Sequence, residues 1–206
     1  APWSPSGSYA LRAAIAARYE TIEPGDVLVT AGASEALAAL AYATLERDAA
    51  LWAGPGTYAS VIAAARHCGA VVANPGATRA ATLAVCTNPG VPCGDLHDLR
   101  TFISQSLSAG AVPAVDEVYR DLILQGCRPR AAADSHPSAV SIGDLSKPLG
   151  LGCLRIGWIA TRDALLRARI ERELQVLSGG PSVLSVAAAE VAMREFDETE
   201  PRTAGE

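Results

Sequence analysis

Short apolar runs alternate with alanine-rich amphipathic stretches along nearly the whole chain, and this alternation narrows the fold more than any other feature. Residues 27–30, 51–52, 70–73, 83–87, 112–115, 140–143 and 156–160 are short, apolar and bounded by Gly, Pro, Asn or Asp, as buried strands are. Between them, residues 8–19, 32–45, 58–67, 95–107, 162–176 and 182–196 carry apolar side chains at helical spacing. Residues 126–138, with prolines at 129 and 137, read as loop. Such alternation predicts an α/β fold: a three-layer α/β/α sandwich around a mostly parallel sheet. Half of the 206 residues are hydrophobic, enough to cover such a sheet on both faces, and residues 1–206 read as one large domain with a frayed tail over 197–206.

In sheets of this kind ligands bind beyond the carboxyl ends of the strands. Ser34, Asn88, Asp116 and Lys147 all fall at predicted strand ends. Lys147 is the only lysine; the other sixteen basic residues are arginines. An amine can lose its proton and attack a carbonyl, which a guanidinium cannot do. A single surface lysine left by a preference for arginine is the bland alternative.

The surroundings of Lys147 favour chemistry. The stretch SIGDLSKPLGLGCLRIGWIA, residues 141–160, sets Ser-Lys before a glycine-rich turn, then Arg155 and Gly-Trp. It resembles the cofactor-lysine motif of fold-type I pyridoxal 5'-phosphate (PLP) enzymes, class I/II aminotransferases in particular. The resemblance implies that Lys147 forms the internal aldimine and that Arg155 binds the cofactor phosphate, as suits a planar guanidinium. Gly32-Ala33-Ser34 joins a strand to a helix, and the resemblance places the phosphate on Ala33 and Ser34; free N–H groups at a helix start suit an anion, although Ser34 also reads as an ordinary cap. The turn TNPGVPCG resembles the family's Asn-Pro turn and implies that Asn88 reaches the cofactor's phenolic oxygen, with Val91 and Cys93 departing from the usual pattern. In DEVY, Asp116 is implied to face the pyridine nitrogen and Tyr119 the phenolic oxygen. Tyr58, in GPGTYAS, falls where an aromatic ring stacks on the cofactor. Asp144 departs most: Ser or Thr is usual three residues before the lysine, and a carboxylate there repels a phosphate.

The implied function is PLP-dependent transamination of an amino acid or other primary amine, with Lys147 and Asp116 catalytic. Decarboxylation, elimination or oxidation on the same scaffold, and non-catalytic PLP binding, stand as alternatives. The resemblance spans residues 7–196, the large cofactor domain, and implies a homodimer. The small domain and the arginine that clamps a substrate carboxylate are expected outside this stretch; Trp3 falls near a partner-facing position, and Arg202 is a poor clamp.

Two rival motifs deserve mention. GASEA approximates a nucleophile elbow, with Ser34, Asp116 and His136 in hydrolase order, but its last glycine is Ala36. GLGCLR, residues 150–155, imitates a dinucleotide fingerprint with Arg155 where the third glycine belongs. The net charge of −5 argues against nucleic acid as the main partner, and no run approaches a membrane span. Five cysteines without CxxC spacing, and no basic-then-apolar leader, predict reduced thiols and a cytoplasmic setting. His67, His97 and His136 are too scattered to suggest a metal site.

Overall fold

A computed structural model of the chain describes residues 6–54, 56–76, 80–122 and 128–199. In chain order the elements are α1 (Tyr9–Ala16), β1 (Val27–Thr30), α2 (Ala33–Thr44), β2 (Ala50–Ala53), α3 (Ala59–His67), β3 (Val71–Ala73), β4 (Leu83–Thr87), α4 (Leu99–Ser108), β5 (Val112–Asp116), α5 (Ala132–Ser135), β6 (Val140–Asp144), β7 (Gly157–Ala160), α6 (Ala164–Leu177) and α7 (Val183–Thr199). The strands form one seven-stranded sheet in the order β1-β7-β6-β5-β4-β2-β3. Strands β3, β2, β4, β5 and β6 pair in parallel, and β7 runs antiparallel to both β6 and β1.

Alternation along each strand divides the core into two layers, because successive side chains point to opposite faces. Leu28, Leu51, Leu83, Val85, Ala114, Ile142 and Ile159 pack with Leu37 and Leu40 of α2, Val61 of α3, and Ile170 and Leu174 of α6. Val27, Val29, Trp158 and Ala160 pack on the other face with Leu11 and Ile15 of α1 and Met193 of α7. Cys86 and Val115 meet Ile103 of α4 on that same side of the central strands. This is the three-layer sandwich the alternation predicts. A helix on each face explains why β1, β4, β5 and β6 are buried almost throughout.

Two segments differ from the sequence reading. Helix α4 begins at Leu99 rather than near Asp95: Asn88 Oδ1 accepts the His97 N–H at 2.8 Å and Gly90 N–H reaches Asp95 O at 2.8 Å, which holds the intervening turn back on the strand end. Asp98 is the cap, accepting from Arg100 N–H and Thr101 N–H. The expected loop over 126–138 contains α5, whose first N–H groups find side-chain acceptors: Ala132 N–H donates to Glu117 at 2.7 Å and Ala133 N–H to Ser141 Oγ at 3.0 Å. The chain reverses before β7 through a 3-10 turn, Gly152–Leu154, and Arg155 at φ +51°. A strand follows this glycine-rich loop, so the dinucleotide-fingerprint reading, which needs a helix there, does not hold.

No helix among the described residues is long and apolar enough to cross a membrane. Among the described residues, no group of three His, Cys, Asp or Glu is placed to hold a metal, and Cys68, Cys86, Cys93 and Cys153 are unpaired thiols. Trp3, Cys127 and Arg202 lie outside the described residues.

Candidate active site

The carboxyl ends of β1, β4, β5 and β6 converge on a cavity of about 610 Å³. Ala33, Ser34, Tyr58, Asp116, Tyr119, Lys147 and Arg155, seven of the eight residues named from sequence, line it, joined by Asp144, Ser146 and Cys153. Asn88 stands behind the wall: it is buried, its N–H donates to Asp116 O at 2.9 Å, and its Oδ1 is taken by His97 N–H. It braces the strand end that carries Asp116.

Each wall follows from local folding. Helix α2 starts at Gly32, whose φ of +89° an L side chain rarely adopts. The first-turn N–H groups of Ala33 and Ser34 have no acceptor within the helix and open on the cavity. A Cβ on Gly32 would lie 2.2 Å from Arg155 Nη2, so the missing side chain is the space the guanidinium occupies. Arg155 is held there by Nη2–H donating to Ala31 O at 3.3 Å and Nη1–H to Gly152 O at 3.4 Å. Gly157 is required on similar grounds, since a Cβ would lie 2.5 Å from Ala33 N. The result is a cation and two free N–H groups at one helix start, an arrangement that binds an anion.

Asp116 ends β5 and is 4% exposed. Burial, helped by neighbouring Asp144, pushes its carboxyl up to about 6, against the pull of the Val118 N–H bond and of Lys147. Asp144 does not turn to Arg155; its Oδ1 accepts the Ser146 N–H at 3.1 Å and it remains on the cavity wall. Lys147 is exposed on the cavity side, its Nζ 6.0 Å from the centre of the Tyr119 ring. Ser146 Oγ, beside it, is buried without a hydrogen-bond partner.

Beneath the cavity lies a polar network that the sequence reading missed. Glu117, next to Asp116, is 4% exposed; burial pushes its carboxyl up to about 7, against the nearby Arg120 guanidinium. Arg120 lies 3.6 Å from Glu117 and 4.6 Å from the Tyr19 ring centre, and donates to Arg18 O at 3.1 Å. Tyr19 accepts from Trp158 Nε1–H at 2.8 Å, and burial pushes its phenol well above the ordinary value. The one available signal was the DEVYRD run itself, which puts four charges at a buried strand end.

The hydrolase reading of Ser34, Asp116 and His136 does not survive the geometry. Ser34 and Asp116 face the main cavity, whereas His136 lines a different one between α4 and α5. A triad requires the base within hydrogen-bond reach of its nucleophile.

A mostly parallel, helix-covered sheet with a lone lysine, a buried carboxylate and an anion seat at its carboxyl edge defines the class of α/β enzymes that hold a phosphorylated carbonyl cofactor. The family model for aminotransferase class I and II matches residues 3–82 and 73–204, and the chain belongs to that family, whose cofactor is PLP. Comparison with curated proteins gives no match. Among solved structures, N-succinyldiaminopimelate aminotransferase from Mycobacterium tuberculosis superposes with a TM-score of 0.85 at 24% identity, over 95% of this chain and 58% of that one. A PLP-dependent aminotransferase from Streptococcus suis 89-1591 gives 0.84 at 20% identity, over 94% and 56%. The PLP-dependent cyclase OrfR gives 0.79 at 27% identity, over 96% and 57%. The chain thus spans under two thirds of the length of each of these proteins.

Proposed function

We propose that this chain is the cofactor-binding part of a PLP-dependent aminotransferase that acts on an amino acid or another primary amine. The observation that carries the reading is the meeting of Lys147, Asp116 and Arg155 on one cavity with the start of α2. The residues fit the cofactor. The space left by Gly32 seats the Arg155 guanidinium, and the unpartnered Ser146 Oγ offers a buried hydroxyl where Asp144 replaces the expected Ser or Thr.

PLP, when bound, supplies an electron sink for a carbanion at the substrate Cα. Arg155 and the N–H groups of Ala33 and Ser34 hold its phosphate. Lys147 provides the amine that anchors the cofactor carbonyl and afterwards moves the proton at Cα. Asp116 holds the ring nitrogen; a cationic nitrogen against it lowers a carboxyl that burial alone raises to about 6. Tyr119 and Tyr58 line the cavity, Tyr58 as the cap of α3; Tyr119 would reach the cofactor's phenolic oxygen and Tyr58 would stack on its ring.

Likeness to a cyclase at 27% identity supports a second reading, another PLP-dependent reaction on the same residues. A homodimer is also part of the proposal: Leu165 and Val176 of α6 and Leu184 of α7 are each more than 80% exposed, apolar side chains that a second copy or further chain could cover. The experiment is reconstitution with PLP, borohydride reduction and peptide mapping, followed by a panel of amino donors. The expected product carries the cofactor on Lys147 and vanishes in Lys147→Ala. Reduction that leaves Lys147 unmodified sinks the reading.

A further inference from the structure

A second cavity, of about 520 Å³, lies between α4 and α5 and shares no lining residue with the first among the described residues. Among the described residues its wall carries no carboxylate: Arg100, Ser104, Arg130, Ser135 and His136 surround an apolar patch of Ile103 and Leu107. Among the described residues, the Arg100 guanidinium and the Ser104 hydroxyl donate no hydrogen bond, whereas the Ser108 and Ser135 hydroxyls are spent on the Ser104 and Ala131 carbonyls at 2.8 Å. His136 Nδ1 accepts the Ser138 N–H at 3.1 Å, so in the neutral ring the proton sits on Nε2, which is left as a donor. Arg130 is steadied through Nη2 by Glu20 at 3.1 Å and by Asp134 O at 3.2 Å, and its Nε–H and Nη1–H groups remain available. Asp98, the nearest acid on α4, is committed to Thr101 and the Arg100 N–H at the helix start.

We propose that this cleft is an effector site for a small organic anion, a carboxylate carried on an aromatic or branched hydrocarbon body. The guanidinium, imidazole and hydroxyl donors match the anionic head, Ile103 and Leu107 match the body, and the volume falls in the range of small-molecule sites. Its floor is joined to the cofactor cavity. Helix α5 hangs from Glu117 through Ala132 N–H and from Ser141 through Ala133 N–H. Those acceptors sit on β5's end and on β6, the elements that lead to Asp116 and Lys147. A ligand that presses on α5 therefore bears on both. The effector role rests on the PLP reading; binding in the cleft does not.

Calorimetric titration of the full chain, with and without PLP, tests it with phenylacetate, its neutral amide and inorganic phosphate as probes. Phenylacetate is expected to bind at least about tenfold tighter than either of the others, and more weakly as salt rises. Leu107→Trp, which fills the cleft, and Arg100→Glu, which reverses its charge, should each weaken binding about tenfold or more, while Arg155→Ala leaves it unchanged. Bound phenylacetate should shift the PLP dissociation constant at least about threefold, a shift of the modest size usual for coupled sites. The inference is overturned if phenylacetate fails to bind, if both cleft variants bind it like the parent, or if binding leaves PLP affinity unchanged. The titration without PLP needs no cofactor, so its failure is distinct from failure of Lys147 to carry PLP.

Discussion

Gly32→Ala puts the anion seat to a quantitative test. The added Cβ meets Arg155 Nη2 at 2.2 Å and Cζ at 2.8 Å, both well inside van der Waals contact. The backbone there, at φ +89° and ψ +164°, lies in a region kept almost wholly to glycine and costs an L residue roughly 1–3 kcal/mol. The obstructing atoms are the far end of a flexible side chain, so the guanidinium moves and the helix start survives. Moving it breaks the 3.3 Å bond to Ala31 O and takes the cation from the N–H groups of Ala33 and Ser34. A charge-assisted hydrogen bond contributes about 1.5–3 kcal/mol, so PLP should bind roughly ten- to a hundredfold more weakly. Gly110→Ala is the matched control: φ is +77° there with nothing within 4 Å of the added carbon. It should lose some stability, as any L residue at positive φ does, and no PLP affinity. Spectrophotometric PLP titration and thermal melts of both variants decide the matter. Parent-like affinity in Gly32→Ala, or equal loss in the control, refutes the reasoning.

Three further outcomes are expected. Asp144→Ser should tighten PLP and lower the Asp116 carboxyl, because Asp144 adds negative charge to the cavity proposed for a phosphate and helps to raise Asp116; weaker PLP binding in the titration counts against this. Glu117 holds its proton more tightly folded, at about 7, than at its ordinary value of 4.5, so its contribution is complete below about pH 4.5 and is lost as pH rises through 7. Glu117→Gln should remove up to ~3 kcal/mol of that pH dependence in urea melts at pH 5 and 8, and an unchanged slope would falsify the assignment. Sedimentation of the purified chain should give a dimer, and a monomer that transaminates glutamate briskly would show that one copy suffices.

Strand positions were legible because both faces of the sheet are buried, which makes 27–30 and 83–87 nearly continuous apolar runs. The site was legible because its residues sit where those runs end. Strand direction was not: Gly157–Ala160 reads alike in either sense, and only pairing with β1 and β6 shows it reversed. Helix α5 escaped because its caps, Glu117 and Ser141, lie 15 and 8 residues away in sequence, beyond any local signal. One partner of Asn88 was not legible: its Oδ1 accepts the N–H of His97, nine residues on, a contact that no local signal shows.

The reversal of β7 has a mechanical consequence. In a wholly parallel sheet only residues that follow a strand reach the carboxyl rim, but Arg155 precedes β7 and reaches it because that strand starts there. Lys147 and Arg155 therefore leave the same rim from the two feet of one hairpin, β6 to β7, eight residues apart in sequence. On the proposed function, the Lys147 amine and the Arg155 guanidinium would therefore share the stability of that one hairpin. Fraying of that hairpin releases both grips in a single motion, so hydrogen exchange at the Leu145 and Leu151 N–H groups, which bond across it, should keep time with cofactor escape.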